Sequence, residues 1–205
     1  MRINVGTYVS SDAEKGFFSG LVDHTAGSST GCAGGESIIT ALATTTDECI
    51  KTWVHAQHGW IANSAYGKAV DGGLGGGTNG SGTGFYGNDP NPQPANGGRA
   101  KGGRQLDDLA AAIKAGTVKF CNPCRIYIYG CQMSNTGTFA ARLSGIIPGS
   151  KVFAGNGKVS TAHSNGDPGT STDPWRAEGG WDTFEAGAQT NTETGPTYIS
   201  PTTTW

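Results

Sequence analysis

A cysteine and a histidine, Cys131 and His58, stand in settings that suit amide-bond chemistry. Cys131 follows Arg125-Ile-Tyr-Ile-Tyr-Gly130. There Ile126 to Tyr129 is β-branched and aromatic, short, and closed by glycine, the pattern of a strand buried on both faces. His58 follows a second such run, Cys49-Ile-Lys-Thr-Trp-Val-His-Ala56, and precedes Gly59. A thiol nucleophile needs a base within hydrogen-bond reach and donors aimed at the developing oxyanion. Parallel neighbouring strands would deliver thiol and imidazole to one rim, at the carboxyl ends where open α/β sheets bind ligands. Gly59 lets the backbone approach a substrate carbonyl, and Gly130 leaves room ahead of the thiol.

Other residues compete for these roles. His55 lies three residues before His58, and in a strand the two positions point to opposite faces, which assigns His55 to the core-facing side. Cys32, in Ser29-Thr-Gly-Cys-Ala-Gly-Gly-Glu36, stands near a predicted helix start, whose positive end favours a thiolate. That setting resembles the nucleophile of papain-like or cell-wall amidase-type cysteine hydrolases, with His55 or His58 as its partner. Cys121-Asn-Pro-Cys124 precedes a strand rather than a helix, which argues against a thioredoxin-like pair, and no second pair completes a zinc site. A local Cys121–Cys124 disulfide or two plain thiols remain for that motif. A Cys32–Cys49 bridge would then leave Cys131 free among the five cysteines. No metal or organic cofactor is implied. His24 and His163 lie in polar stretches with no partner to name.

The elements that must position Cys131 and His58 alternate along the chain. Ile3 to Val9 reads as an opening strand, and Ser10 to Gly35 as a polar stretch without an element. Glu36 to Thr45 reads as a helix and Cys49 to Ala56 as the second strand. Gln105 to Ala115 is a helix with Leu106, Leu109, Ala110 and Ile113 on one face and Asp107 and Asp108 in its first turn; Gly116 can take a left-handed cap. After Gly130, the residues Ser134, Asn135 and Thr136 can cap a helix whose stripe is Phe139, Leu143, Ile146 and Ile147; Pro148-Gly149 stops it, and Lys151 to Ala154 is the next strand. Trp175 to Glu185 suggests a final hairpin or edge strand, and Gln189 to Trp205 a loose Thr-rich tail. The alternation predicts an α/β fold, a mostly parallel central sheet with helices on both faces.

Between the two motifs, Ile61 to Gly103 is dense in glycine and carries Pro90, Pro92 and Pro94. It has too little apolar content for a core of its own and reads as a long excursion from the carboxyl rim, with a small hairpin at Gly84 to Tyr86. A loop leaving beside the base is placed to gate substrate, to inhibit, or to be cut by the enzyme itself.

Composition bounds the rest. The 205 residues suit one domain over 1–188 followed by the tail 189–205. A net charge of −2 gives no reason to expect nucleic acid or an anionic membrane surface as partner. The 35 glycines and the 35% hydrophobic content predict a compact centre with long loops. No apolar run reaches the roughly 20 residues of a membrane span. The N-terminus reads as a strand without a secretory signal, so the expectation is a cytoplasmic protein or one exported without a cleaved signal.

Strand-His58-Gly59 followed by strand-Gly130-Cys131 and a capped helix resembles the caspase–gingipain family of cysteine peptidases, clan CD. In that family the histidine precedes the cysteine and both end neighbouring parallel strands. Ile126 to Gln132, Phe139-Ala-Ala-Arg-Leu143 and Lys151-Val-Phe-Ala-Gly155 are also similar to caspase-like domains of large bacterial surface proteins and toxins. Gly157-Lys-Val and Gly180-Trp-Asp-Thr-Phe184 are faintly similar to the ends of bacterial toxin modules. The resemblance spans Ile50 to Val159 and implies a caspase-like three-layer sandwich. It implies Cys131 as nucleophile, His58 as general acid and base, and the Gly59 and Cys131 amides as the oxyanion hole. Its substrate would be a protein or peptide, and an immunity or inhibitor protein is the partner that a toxin module would have. The chain departs from the pattern in its Ala56-Gln57 ahead of the histidine and in the length of its glycine-rich segment. A caspase-like module without catalysis, serving to bind, is the reading that competes with an enzyme.

Overall fold

The structure, a computed structural model, describes residues 1–10, 15–33, 35–57, 59–60, 73–74, 85–86, 105–131, 133–134, 139–157, 159–161, 175–177, 179–193 and 198–199. The elements run β1 (Arg2–Val9), α1 (Lys15–Ala26), β2 (Thr30–Cys32), α2 (Gly35–Ala41), β3 (Cys49–Ala56), β4 (Gly59–Trp60), β5 (Gly73–Leu74), β6 (Phe85–Tyr86) and α3 (Gln105–Lys114). They continue with β7 (Phe120–Tyr129), α4 (Phe139–Ile146), β8 (Ser150–Gly155), β9 (Val159–Thr161), β10 (Trp175–Ala177), β11 (Trp181–Glu185), β12 (Ala188–Glu193) and β13 (Tyr198–Ile199).

Seven strands form the central sheet in the order β12-β11-β8-β7-β3-β1-β2. The five from β2 to β8 pair in parallel, while β11 and β12 are antiparallel additions. The fold is therefore α/β with a mostly parallel mixed sheet. Two three-stranded sheets, β13-β10-β9 and β4-β5-β6, accompany it.

Alternation along the strands sorts the core into two clusters. Trp53, Ile126 and Ile128 pack with Ile38 of α2, Leu106 and Leu109 of α3, and Phe139 and Leu143 of α4. Val54, Ala56, Tyr127 and Tyr129 pack with Phe18, Leu21 and Val22 of α1. Helix α1 lies close on β1: a Cβ at Gly6 would collide with Val22 and with the Ser28 carbonyl. Helix α3 ends on Gly116 at φ 76°, with the Thr117 amide returning to the Ala112 carbonyl at 3.0 Å, and the turn after α4 ends on Gly149 at φ 72°.

Several expectations need correction. The polar stretch Ser10 to Gly35 holds both α1 and β2. Phe18, Leu21 and Val22 sit at i, i+3 and i+4, but Gly16, Ser19, Gly20 and His24 dilute the stripe in composition. The expected loose tail begins as β12, which pairs antiparallel with β11 across Ala186 and Gly187, both at positive φ. A two-residue turn of that conformation matches the twist of a hairpin, and threonine suits an exposed edge strand. Trp175 to Glu185 divides between the small sheet as β10 and the main sheet as β11. Of the glycine-rich segment only β5 and β6 are among the described residues; the rest of 61–103 lies outside them.

The disulfide joins Cys49 to Cys121, not Cys121 to Cys124 or Cys32 to Cys49. Cys49 opens β3, Cys121 lies at the start of β7, and Ile50 pairs with Phe120, so the two Cα atoms are 5.0 Å apart. Cys32 and Cys124 are free and buried, and Cys131 is free and half-buried.

Candidate functional site

Strand β7 delivers Cys131 to the carboxyl rim. Ile126 to Tyr129 is buried between the two clusters, Gly130 follows, and Cys131 is the second residue beyond the strand. Its thiol is oriented by β9: the Val159 amide donates to Sγ at 3.4 Å, and Sγ lies 3.8 Å from the Val159 carbonyl oxygen. β9 reaches that position because Gly155, at the end of β8, has no Cβ to strike the Val159 side chain. Around this rim the ring of Trp181 meets Tyr129 edge-on, 5.7 Å between centroids.

Strand β3 ends at the same rim. It pairs in parallel with β7, His55 opposite Ile128 and Ala56 opposite Tyr129, and the Gln57 amide donates to the Tyr129 carbonyl at 3.1 Å. The next residue is His58, which lies outside the described residues. Gly59 opens β4 and pairs with Leu74.

His55 has no exposed surface and is fully engaged. Its Nδ1 lies 2.7 Å from Thr7 Oγ1 and its Nε2 2.9 Å from Gln57 Oε1. Burial pushes its pKa down to about 4; the Gln57 hydrogen bond works in the opposite direction and is the lesser influence. The ring is therefore neutral at pH 7 and cannot reach the rim, which removes it as a competitor for the base. Because the folded pKa lies below the unfolded value, this histidine's contribution to stability is fully present above about pH 6.5 and is lost as pH falls toward 4. Over that window the loss is about 3 kcal/mol. Urea unfolding from pH 7.5 to 4 is expected to show this slope in wild-type protein and not in His55→Leu. Parallel slopes in the two proteins would refute the assignment.

Cys32, the alternative nucleophile, closes β2 with 1% exposure, its thiol 3.5 Å from the Thr30 carbonyl and 3.7 Å from that of Ser37. Burial pushes its pKa up to about 11, and that of Cys124 to about 12. His163 lies outside the described residues, and His24 belongs to α1. Among the described residues no three His, Cys, Asp or Glu side chains could share a metal ion. No helix among them is long and apolar enough to cross a membrane.

Sequence reasoning missed the buried polar groups near this edge. Among the described residues Gln57 Nε2, Ser134 Oγ, Trp181 Nε1 and Asp182 Oδ1 are buried without a hydrogen-bond partner. Asp182 pairs in register with Ala154, and its other oxygen accepts weakly from Asn156 Nδ2 at 3.4 Å. Ser134 donates its amide to the Gly155 carbonyl at 3.3 Å. The signal available for Asp182 was an acid inside an apolar strand, Trp181-Asp-Thr-Phe184. No family model, curated protein or solved structure matches the chain.

Proposed function

We propose that the protein is a cysteine peptidase of the caspase–gingipain type, with Cys131 as nucleophile and His58 as general acid and base. The observation that carries this reading is the pairing of β3 and β7. They are parallel neighbours in a register that sets Ala56 beside Tyr129, so the chain leaves both strands at one rim, next to the half-buried thiol. Val54 and Ala56, at the end of β3, belong to the cluster against which Cys131 packs. The two clusters on the sheet are what a caspase-like three-layer sandwich requires. The glycine-rich 61–103 is then an insertion that gates the rim.

In this mechanism the His58 imidazole takes the Cys131 proton and the thiolate attacks the substrate carbonyl carbon. The Gly59 and Cys131 amides hold the tetrahedral oxyanion. The C–N bond breaks as the imidazolium returns the proton to the leaving amine, and water, deprotonated by His58, hydrolyses the thioester. No metal takes part. The substrate is a protein or peptide, and the setting is that of a bacterial effector or toxin module with an inhibitor or immunity partner.

Incubating the protein with a broad peptide pool and reading new termini by mass spectrometry tests the proposal. Cleavage that iodoacetamide stops is expected. A pool left intact by freshly reduced and by oxidised protein alike would refute it.

A further inference from the structure

The Cys49–Cys121 bridge stands where the ladder between β3 and β7 is interrupted. Ile50 pairs with Phe120, and the next pair is Thr52 with Arg125. Over that step β3 advances from 50 to 52 while β7 advances from 120 to 125, so Cys121-Asn-Pro-Cys124 forms a bulge opposite Lys51. The far side of the bulge is tied to β8. The Cys124 amide donates to the Gly149 carbonyl at 3.2 Å, and the Asn122 side chain fills the space that a Cβ on Gly149 would need. Ahead of the bulge the two strands are joined by the Ile50–Phe120 pair, by the Ile50 amide on the Lys119 carbonyl at 2.8 Å, and by the bridge.

No other thiol of the chain can take this bond over. Cys124 follows Cys121 by three residues, but it is buried in the cluster that holds Ile126 and Val152, and burial pushes its pKa up to about 12. Cys32 is buried on β2 with its pKa pushed up to about 11. Exchange needs a thiolate, and at pH 7 these two hold about one part in a hundred thousand and one part in ten thousand. Cys131 lies beyond the opposite end of β7. The bond is therefore opened from outside the chain. Cys49 is half-buried and Cys121 is buried, so an incoming thiolate meets the Cys49 sulfur. Disulfides with an exposed side are the labile and regulatory ones.

We propose that Cys49–Cys121 is a redox latch, closed in an oxidising compartment and opened by a dithiol reductant that attacks Cys49, and that it sets how long the folded protein lasts. One thiolate of the reductant bonds to Cys49 Sγ, and Cys121 leaves as a thiolate and takes a proton. The second thiol of the reductant then displaces Cys49, and the reductant ends as a disulfide with two electrons passed to the bridge. Ala56 and Tyr129 lie at the other ends of β3 and β7, so opening the latch leaves the rim in place. What changes is the freedom of the unfolded chain, because the bond spans 72 residues. A reducing cytosol keeps such a bond open and export closes it, which ties the lifetime of the protein to its compartment. The latch is independent of the Cys131–His58 reading.

The test treats native protein with dithiothreitol at pH 7.5, alkylates the freed thiols with iodoacetamide, and locates the label by mass spectrometry. Cys49 and Cys121 are expected to be labelled together, and Cys32 and Cys124 only after denaturation. Glutathione, a single thiol, is expected on Cys49 and not on Cys121. Under thermolysin the half-life of the reduced protein is expected to fall by about a hundredfold or more, and to recover on reoxidation with glutathione disulfide. The Cys49→Ser, Cys121→Ser double variant is expected to match the reduced protein with or without dithiothreitol; should it not fold, loss and recovery in the wild type decide alone. A bridge that dithiothreitol opens only after denaturation would be a fixed staple and would overturn the inference. So would a reduced protein that resists thermolysin as well as the oxidised one, or glutathione found on Cys121.

Discussion

Replacing Cys131 by alanine is expected to slow peptide-bond hydrolysis by about a thousandfold or more, and replacing Cys32 by alanine to leave it within about twofold. Both cysteines are free, and each has a histidine-bearing strand in the same sheet, so sequence alone leaves them in competition. Burial separates them. With 1% exposure and a pKa pushed up to about 11, Cys32 at pH 7 holds a thiolate fraction of about one in ten thousand, and no substrate can approach it. Its sulfur faces the carbonyls of Thr30 and Ser37, which accept a thiol proton and repel a thiolate. Cys131 is half-buried beyond the end of β7, beside an edge strand segment, with an amide of Val159 donating to it. Initial rates on one peptide cleaved by wild-type protein, with thermal melts to confirm folding, decide between the two. A folded Cys32→Ala protein without activity would move the nucleophile to β2 and end the proposed dyad.

Four of the five parallel strands were legible because each is a β-branched or aromatic run closed by a small residue; the fifth, β2, is only Thr30-Gly31-Cys32 and was not. Cys49 to Ala56 carries the same bounds in sequence and structure, and the helices carrying Leu106 and Phe139 differ by a residue or two at their ends. What composition hid was structure whose apolar signal is thin. In α1 three core residues share twelve positions with glycines and serine, and a helix of that kind is made by packing on Gly6 rather than by propensity. In β12 residues 188–191 are exposed and give no apolar stripe to read; they pair with β11 because the Ala186-Gly187 turn folds them back. The site divides in the same way. The strand that carries Cys131 to its place was legible in the residues before it. The buried contacts of His55 and Gln57 were not, because Thr7 lies in β1 and meets His55 only across the β1–β3 pairing. The disulfide was misjudged for a related reason: proximity in sequence favoured Cys121–Cys124, while proximity in space follows from the β3–β7 register.

Reducing the Cys49–Cys121 bridge is expected to cost about 4 kcal/mol of stability, while the activity of each folded molecule stays as it was. The bridge closes a loop of 72 residues in sequence, and cross-linking so long a loop removes much of the unfolded chain's freedom. The folded chain gains little from it, since the pairing of Ile50 with Phe120 already holds the two strand starts together. Its position matters for function as well. Cys49 and Cys121 lie toward the amino-terminal ends of β3 and β7, and the candidate site lies beyond their carboxyl ends, past Ala56 and Tyr129. Guanidinium unfolding of wild-type protein with and without dithiothreitol, and of the Cys49→Ser, Cys121→Ser double variant, is expected to show the midpoint falling by about 1 M in the unbridged proteins. Coincident curves would show that the bridge contributes nothing to stability. A loss of peptide cleavage in the double variant at denaturant concentrations where it is still folded would show that the rim depends on the opposite edge, and that β3 and β7 are not rigid enough to set the dyad by register alone.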